Sequence, residues 1–346
     1  MKTGPLNLIT DVAGFKVGNA QDEKLQSGVT VLIGDDPFVA AVDIRGGAPG
    51  SRETALLDPS CTIQHVHAIT LSGGSAWGLN AADGVMDFLK QAGKGLKWQD
   101  AVIPIVPTSI LFDLLNGGDK DWDKNPYAAL GKQAASNAAD KFQLGSVGAG
   151  TGAKAGNIKG GLGSASFHYK DHFMVGALVA ANPIGSVLMP SSNVFWAWAF
   201  EQNNEFGGIR PDPNKQHYGL DYPFQFANGV EINAPDTNQA AIQNTTIAII
   251  ATDLALTKSE ATRIAMAAQD GLARAIRPVH TPLDGDSVYV VSSGKVAMKD
   301  AVSDMARLSM LAADCLARAI ARGVFEATSP DNFMGGKYMG YQQKYL

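Results

Sequence analysis

The sequence predicts an α/β protein in which two layers of β-sheet are packed between helices. Short apolar runs typical of strands recur along the 346 residues, and three segments have apolar residues at helical spacing. The two kinds of segment alternate loosely, and the composition, with 45% hydrophobic and 18% charged residues, allows a large core. Strands this apolar need cover on both faces, which two sheet layers between helices provide.

Six apolar runs are predicted as strands. Each has the length and apolar character of a strand that is buried inside a protein. The six runs cover residues 28–34, 38–44, 65–71, 174–181, 246–256 and 287–293.

Three segments are predicted as helices. The first follows Ser75, which is expected to cap it, and ends near Gly93. The second begins with Thr257 and Glu260, the two residues of a capping box. The third covers residues from about 300 to 322. Their apolar faces consist of Leu79, Ala82, Met86 and Leu89 in the first helix, Ile264, Ala268, Leu272 and Ile276 in the second, and Met305, Leu308, Ala312, Cys315 and Ala319 in the third.

Charge and cysteine content exclude several classes of protein. The net charge is −5 and no run of Lys and Arg exceeds two residues, which argues against nucleic-acid binding. Two cysteines are too few for a disulfide framework or a cysteine-rich zinc site. The N-terminus lacks the apolar core of a signal peptide and no apolar run is long enough to span a membrane, so we expect a cytoplasmic protein, or a periplasmic one if a leader was omitted.

Glycine-rich patches imitate cofactor motifs without completing them. Residues 148–153 nearly match a dinucleotide fingerprint, but more glycine follows instead of a helix. Asp119, Asp121 and Asp123 imitate the start of a calcium loop and lack its glycine and its final glutamate, so a solvated loop is expected there. His65 and His67 share one face of a strand without further metal ligands. We therefore expect no cofactor and no metal.

The residues Asn244, Thr245 and Thr246 stand at the entrance of an apolar strand. They follow a segment, residues 201–243, that is rich in Asn, Pro, Gly and Gln; irregular segments of that length are usually functional or disordered. One interpretation is structural, because threonine is β-branched and suits strands. The other is that the hydroxyl groups take part in chemistry.

Asp284 and Asp286 lie two residues apart at the entrance of another strand. Side chains at this spacing point the same way, so the two carboxylates repel each other, and one of them can stay protonated or require a nearby cation. The alternative is a polar turn, since Asp-Gly is a favoured turn dipeptide. The residues alone leave both interpretations open.

Nine motifs follow one another along the chain: ITDVAGFKVGNA, SGVTVLIG, VDIRGGAPGSRET, LSGGSAWGL, GSVGAGTGA, KGGLGSAS, ALVAANPIGSV, NTTIAIIATDLALTKSEA and HTPLDGDSVYV. In this order they resemble the L-aminopeptidase/D-amidase/D-esterase family of self-processing hydrolases. This family includes the β-aminopeptidases and nylon-oligomer hydrolase, and the Thr and Asp-Gly-Asp motifs are most similar to the nylon-oligomer branch.

The resemblance implies a fold and a cleavage site. The fold would be a four-layer α/β/β/α sandwich of the N-terminal-nucleophile-hydrolase type, formed by residues 1–346 as one domain. The family's precursor cuts itself before a Ser or Thr, and the matching bond here is Asn244–Thr245. The products would be residues 1–244 and residues 245–346, assembled as a homo-oligomer, expected to be a tetramer of cleaved heterodimers.

The resemblance also implies roles for individual residues. Thr245 would supply the nucleophile and, through its freed α-amine, the base, while Asn182 would bind the oxyanion. Asp284 and Asp286 would orient Thr245. The chain departs from relatives at two positions. Phe112 stands where some members have a Tyr, and Asn157 stands where the nylon-type enzyme has a catalytic Lys. Either Lys154 or Lys159 would replace that catalytic Lys, and Lys159 is our preferred candidate. Phe112 and Gly150 are expected to contact the substrate.

The resulting hypothesis is hydrolysis of amide bonds in small peptides or oligoamides through an acyl-threonine intermediate. Three alternatives stay open: an aminopeptidase, D-amidase or esterase that releases N-terminal residues, an acyltransferase of the ornithine-acetyltransferase type, and a non-catalytic glycine-rich binding protein.

Overall fold

The computed structural model describes residues 2–214, 244–331 and 333–346. Its strands are β1 (Phe15–Asp22), β2 (Ser27–Ile44), β3 (Ser51–Arg52), β4 (Val66–Ser72), β5 (Leu96–Trp98), β6 (Ala101–Ile103), β7 (Thr108–Ile110), β8 (Lys154–Ala155), β9 (Ile158–Lys159), β10 (Gly161–Tyr169), β11 (Phe173–Asn182), β12 (Thr245–Leu254) and β13 (Ser287–Val296). Its α-helices are α1 (Ala81–Gln91), α2 (Tyr127–Ser136), α3 (Lys258–Ala275), α4 (Ala301–Phe325) and α5 (Tyr341–Tyr345). In these ranges no helix is long and apolar enough to cross a bilayer.

Strand β2 belongs to two sheets. Sheet I has the order β10-β11-β12-β13-β2, in which β12 is antiparallel to β11 and parallel to β13. Sheet II consists of β1, β2, β4, β7 and β3. The prediction of two strands over residues 28–34 and 38–44 is wrong. An irregularity between Ile33 and Phe38 separates the two runs, but the chain continues as one strand because its second half pairs with β13.

Three apolar layers separate the sheets and helices. Successive residues of β12 alternate between them: Ala248 and Ile250 pack toward α3 and α4, whereas Ile247 and Ile249 lie between the two sheets. On the far side of sheet II, Val29 and Val31 of β2 pack against α1 and α2. The order of layers is α3 and α4, sheet I, sheet II, and α1 and α2. The predicted α/β/β/α arrangement is confirmed.

Two of the three predicted helices begin where expected. Thr257 and Glu260 form the capping box of α3, and the Asp300 side chain caps α4. The predicted start of the first helix, directly after Ser75, is wrong: residues 75–80 form a 3-10 turn, and α1 begins at Ala81. Ser75 does not cap the helix: its φ of 50° lies in the left-handed region, whereas an N-cap residue needs an extended backbone.

Several elements were not predicted, among them α2 and β10. Helix α2 follows the acidic segment around Asp121, and its buried residues Tyr127 and Leu130 pack on sheet II. Strand β10 lies in the glycine-rich patch of residues 145–166. A Cβ at Gly163 would stand 1.8 Å from the Ala319 carbonyl oxygen of α4. Glycine in β10 therefore permits close helix-to-sheet contact rather than a loop. Of the irregular segment predicted over residues 201–243, residues 215–243 lie outside the described ranges.

Candidate active site

Sheet I brings the predicted cleavage site next to two of the predicted side chains. Thr245 is the first residue of β12 and, because β11 is antiparallel to it, pairs with Asn182, the last residue of β11. On the other side β13 is parallel to β12, and Asp284, which precedes β13, forms a bridge with Asn244. Strand ends rather than strand centres therefore build this site.

The Thr245 hydroxyl contacts the peptide bond that precedes it. Its Oγ1 donates a hydrogen bond to the Asn244 carbonyl oxygen and accepts one of 3.2 Å from the Gly285 N–H. The residue is 1% exposed. A backbone N–H directed at the hydroxyl oxygen stabilises negative charge on that oxygen, which favours its use as a nucleophile.

Gly285 is required at this point by its closeness to Thr245. A Cβ on Gly285 would lie 2.8 Å from Thr245 Oγ1 and 2.7 Å from the Ala48 carbonyl oxygen. Its φ is not in the left-handed region where turn glycines are common. The geometry thus favours a close approach over the simple turn interpretation of Asp-Gly-Asp.

The Asp286 carboxylate is held in place by two backbone N–H donors and by a contact with a histidine ring nitrogen. Its Oδ1 accepts a 2.8 Å hydrogen bond from the Thr246 N–H. Its Oδ2 accepts one of 3.1 Å from the His280 N–H and lies 2.9 Å from His280 Nδ1. Asp286 thereby ties the start of β12 to the segment that precedes β13.

Asp284 occupies a neighbouring buried position with a different set of donors. Its Oδ2 accepts hydrogen bonds from the Thr281 hydroxyl at 2.6 Å and the Thr281 N–H at 3.1 Å, and its Oδ1 accepts one from the Ile184 N–H at 3.2 Å. Burial, followed by the charge of Asp286, raises the pKa of Asp284 to about 6. This carboxyl group therefore keeps its proton to a higher pH than an ordinary aspartate does.

The Asn182 side chain is fixed at both ends of its amide. Its Oδ1 accepts a 2.9 Å hydrogen bond from the Lys154 N–H, and its Nδ2 donates one of 3.2 Å to the Phe112 carbonyl oxygen. Asn182 is completely buried apart from the cavity that it helps to line. Because Asn182 pairs with Thr245 across β11 and β12, these two hydrogen bonds fix its amide group beside the predicted cleavage site.

A cavity of about 580 Å³ opens beside Asn182. Its size suits a small organic substrate. Of the two residues expected to contact the substrate, Phe112 lines this cavity and Gly150 does not. The apolar part of the wall comes from Phe112, Leu115, Met334 and Tyr338, and its polar part includes Lys154, Asn157, Asn182 and Lys337.

Lys159 lies inside the glycine-rich segment. Its Nζ donates hydrogen bonds to the carbonyl oxygens of Gly150, Ala153 and Gly160, at 3.1, 2.9 and 2.9 Å, and sits 4.8 Å from the centre of the Phe333 ring. Burial lowers its pKa to about 7. Through these three hydrogen bonds, one of them to Gly150, the ammonium group holds the glycine-rich segment together.

His280 and Gly285 belong to the site although neither was predicted as a site residue. Both lie in the HTPLDGD motif beside the two aspartates, so their position in that motif was the available signal. His280 also has a left-handed backbone with φ of 55°, which is uncommon for a residue other than glycine. Sequence patterns do not reveal such a conformation.

Two buried polar atoms flank the Asn244–Thr245 bond without a hydrogen-bond partner in the described part of the chain. They are Asn244 Oδ1 and Thr246 Oγ1. Unsatisfied buried polar atoms are rare in folded proteins, and each calls for a particular explanation such as a catalytic role.

Comparison with known proteins identifies the family. The profile of peptidase family S58 matches residues 7–337. A Mycobacterium tuberculosis protein named as an uncharacterized aminopeptidase is 42% identical over 340 residues, covering 93% of this chain and 94% of the relative. A 6-aminohexanoate-oligomer endohydrolase from Kocuria sp. is 29% identical over 303 residues, covering 85% of this chain and 77% of that enzyme.

Two solved structures show the same fold. A Burkholderia sp. β-aminopeptidase has a TM-score of 0.71 at 21% identity and covers 99% of this chain and 93% of its own. The L-aminopeptidase D-Ala-esterase/amidase from Ochrobactrum anthropi, described as a variant of the Ntn hydrolase fold, has a TM-score of 0.64 at 20% identity and covers 94% and 88%. With a family profile along most of its length, this chain belongs to peptidase family S58 and is an amide-bond hydrolase.

Proposed function

We propose that the protein is a self-processing N-terminal-nucleophile amidohydrolase that acts through an acyl-threonine intermediate. The observation that carries the proposal is the contact of the Thr245 hydroxyl with the Asn244 carbonyl, in a buried site that also receives the Gly285 N–H. A hydroxyl held against the preceding carbonyl is close to the geometry for attack on its own peptide bond.

Processing would begin with an acyl shift. Thr245 Oγ1 attacks the Asn244 carbonyl carbon, the carbon–nitrogen bond breaks, and the hydroxyl proton passes to the departing nitrogen. The resulting ester between Asn244 and Thr245 Oγ1 is then hydrolysed by water. This step leaves a carboxylate on Asn244 and a free α-amine on Thr245.

Turnover would use the new amine as its base. An α-amine has a reference pKa of about 7.7–8.0, close to neutral pH, and it is attached to the nucleophile itself. It would take the Thr245 proton as Oγ1 attacks the substrate carbonyl and return it to the departing amine. Water would then hydrolyse the acyl-threonine ester.

The surrounding residues would have distinct roles. Asn182 would donate an amide N–H to the tetrahedral oxyanion, where charge develops only in the transition state. Asp286 would position the start of β12 through its bond with the Thr246 N–H, and His280 would position Asp286. Asp284 would offset the ammonium charge of the processed Thr245. Lys159 would act through the glycine-rich segment that it holds.

Substrates would be small peptides or oligoamides. The names of the relatives, an aminopeptidase and an oligoamide endohydrolase, support this class. Transfer of the acyl group to an amine instead of water is the alternative that the same acyl-threonine permits. By resemblance we also expect a homo-oligomer of the processed pair, which light scattering tests against the 36.3 kDa mass of one chain.

Substitution of the nucleophile tests the proposal. Wild-type protein should give two bands on denaturing electrophoresis, the smaller with Thr245 at its N-terminus. Thr245→Ala should stay a single inactive chain, because no hydroxyl can attack the Asn244 carbonyl. Thr245→Ser, which keeps a hydroxyl, is the control and should still be processed. Cleavage of Thr245→Ala at the same bond would show that another group makes the cut.

A further inference from the structure

The cavity beside Asn182 contains a buried cation that the proposed chemistry does not use. Lys154 is 7% exposed and lines this cavity, and its backbone N–H holds Asn182 Oδ1. The backbone of Lys154 is therefore one hydrogen bond away from the proposed oxyanion residue. Burial lowers the pKa of Lys154 to about 8, so its amino group is protonated in most molecules at neutral pH.

The Lys154 ammonium group lacks a counter-ion within residues 2–214, 244–331 and 333–346. No carboxylate forms an ion pair with it, and its Nζ makes no hydrogen bond there; its aromatic contact is with the Tyr338 ring, 5.8 Å from the ring centre. A buried charge without a partner is costly, and such cations in a cavity mark a place for an anionic ligand. By contrast, Lys159 on the paired strand β9 satisfies its ammonium with three carbonyl oxygens.

Other charged groups of the cavity do not neutralise Lys154. The carboxyl group of Asp113 accepts hydrogen bonds from the Ser27 hydroxyl at 2.6 Å and the Gly74 N–H at 2.7 Å, and in the described ranges it forms no ion pair with Lys154. Burial raises the pKa of Asp113. Lys337, an exposed residue of the cavity wall, adds a second positive charge. The cavity thus presents an excess of cationic donors.

We propose that this cavity binds a carboxylate of the substrate, with Lys154 as its ion-pair partner and Lys337 as an auxiliary cation. The inference rests on the proposed function and specifies its substrate class. A peptide or oligoamide carries its terminal carboxylate on the portion that leaves as the amine, so the cavity would hold that leaving portion. A volume of about 580 Å³ would then restrict that portion to a short segment.

The test compares substrates that differ in one charge. The processed enzyme is assayed with 6-aminohexanoate oligomers and with alanine dipeptides, each as the free acid and as the C-terminal carboxamide. Wild type should prefer the free acid by at least about tenfold in kcat/KM. In Lys154→Met, which keeps the length of the side chain and removes its charge, the ratio should fall to within about twofold of one. Lys132→Met, at an exposed position of α2 outside the cavity wall, is the matched control and should keep the wild-type ratio.

A second pair of substrates separates the two sources of a carboxylate. A C-terminal carboxamide with glutamate in the leaving portion, compared with its glutamine counterpart, shows whether an acidic side chain replaces the terminal group. A glutamate preference that is lost in Lys154→Met supports the carboxylate site with the side chain as its source. Lys154→Gln repeats the comparison with a different neutral side chain.

The outcomes distinguish this proposal from the proposed function. Equal wild-type rates for acids and amides would overturn the carboxylate site even if Thr245 is the nucleophile, and so would a preference that Lys154→Met retains. Conversely, a Thr245→Ala protein that is still cleaved or active would overturn the acyl-threonine proposal. Because the wild-type comparison needs no variant, poor folding of a Lys154 variant leaves the proposal testable.

Discussion

At the scale of single residues, the Thr245 hydroxyl oxygen is enclosed by backbone groups on two sides. The Asn244 carbonyl lies on one side of it and the Gly285 N–H on the other. Gly285 also leaves room for this hydroxyl, because any residue with a Cβ would place that atom 2.8 Å from Thr245 Oγ1. An added Cβ would collide with this hydroxyl and with the Ala48 carbonyl oxygen, so a small volume change here should affect both the chemistry and the local packing.

Gly285→Ala should slow processing and turnover by at least about tenfold, because the new Cβ would stand 2.8 Å from Thr245 Oγ1 and displace it. Quantitative electrophoresis after expression measures processing, and a thermal melt measures folding. Gly294→Ala is the control: it lies at an exposed left-handed position with no atom near the added Cβ. Rapid processing in Gly285→Ala would mean that the hydroxyl does not need its present position.

Asp284 links the site to pH. Its pKa is raised to about 6, above the 3.8 of an ordinary carboxyl group, so at pH values between these two the folded protein binds more protons here than the unfolded chain. Stability contributed by this group therefore falls as the pH rises from about 4 to about 6, and the loss is complete above that interval.

Asp284→Asn removes this titration. In the uncut Thr245→Ala chain, where no ammonium group faces Asp284, we expect the free energy of unfolding with Asp284→Asn added, minus that without it, to increase by about 1–3 kcal/mol between pH 4 and pH 7. Denaturant unfolding at both pH values measures this change, and effects of the substitution that do not depend on pH cancel in the subtraction. A difference that stays constant with pH would place the Asp284 pKa near its ordinary value.

At the scale of elements, α4 is joined to its surroundings by a buried arginine. Arg318 Nε and Nη2 bind the two carboxylate oxygens of Glu205 at 2.6 and 2.8 Å, and Nη1 donates to the Ser166 carbonyl oxygen at 3.0 Å. The guanidinium group also lies 4.2 Å from the centre of the Phe167 ring. One side chain of α4 thus connects β10 with the loop around Glu205.

Arg318→Met should lower the free energy of unfolding by about 3–5 kcal/mol, because it leaves Glu205 largely buried with a weaker partner. The control on the same helix is Arg307→Met. Its ion pair with Asp304, at 3.6 Å, involves a partly exposed side chain and should contribute at most about 1 kcal/mol. Chemical denaturation of both variants measures the difference, and similar values for the two would show that the Arg318 contacts contribute little.

At the scale of the whole molecule, cleavage at Asn244–Thr245 would leave two interleaved chains. The strands of the small chain, β12 and β13, lie inside sheet I, with β11 of the large chain on one side and β2 on the other. Helices α3 and α4, also from the small chain, cover the same sheet. Neither product would bury its apolar strands alone.

The processed chains should therefore co-elute in native size-exclusion chromatography and unfold in one cooperative thermal transition. They should separate only in denaturant. Unprocessed Thr245→Ala provides the reference for a covalently continuous sheet. Independent melting of the two chains would contradict the single-domain description.

By itself the sequence determined the fold class, most of the central strands, the start of α3 and the motifs that form the site. These features depend on local physics: apolar periodicity selects strand or helix, and a capping box satisfies the backbone of its own first turn. The Asn-Thr-Thr and Asp-Gly-Asp motifs were recognisable for the same reason, since each is contained within a few consecutive residues.

The tertiary structure alone decided which residues meet. The continuity of β2, the strand character of the glycine-rich β10, the contact of His280 with Asp286, and the different surroundings of Lys154 and Lys159 all depend on partners far along the chain. Glycine-rich segments have weak local preferences, so packing against α4 determines their conformation. A lysine has the same local signature in either role. Only the arrangement of carbonyl groups around it decides whether its charge is satisfied internally or left for a ligand.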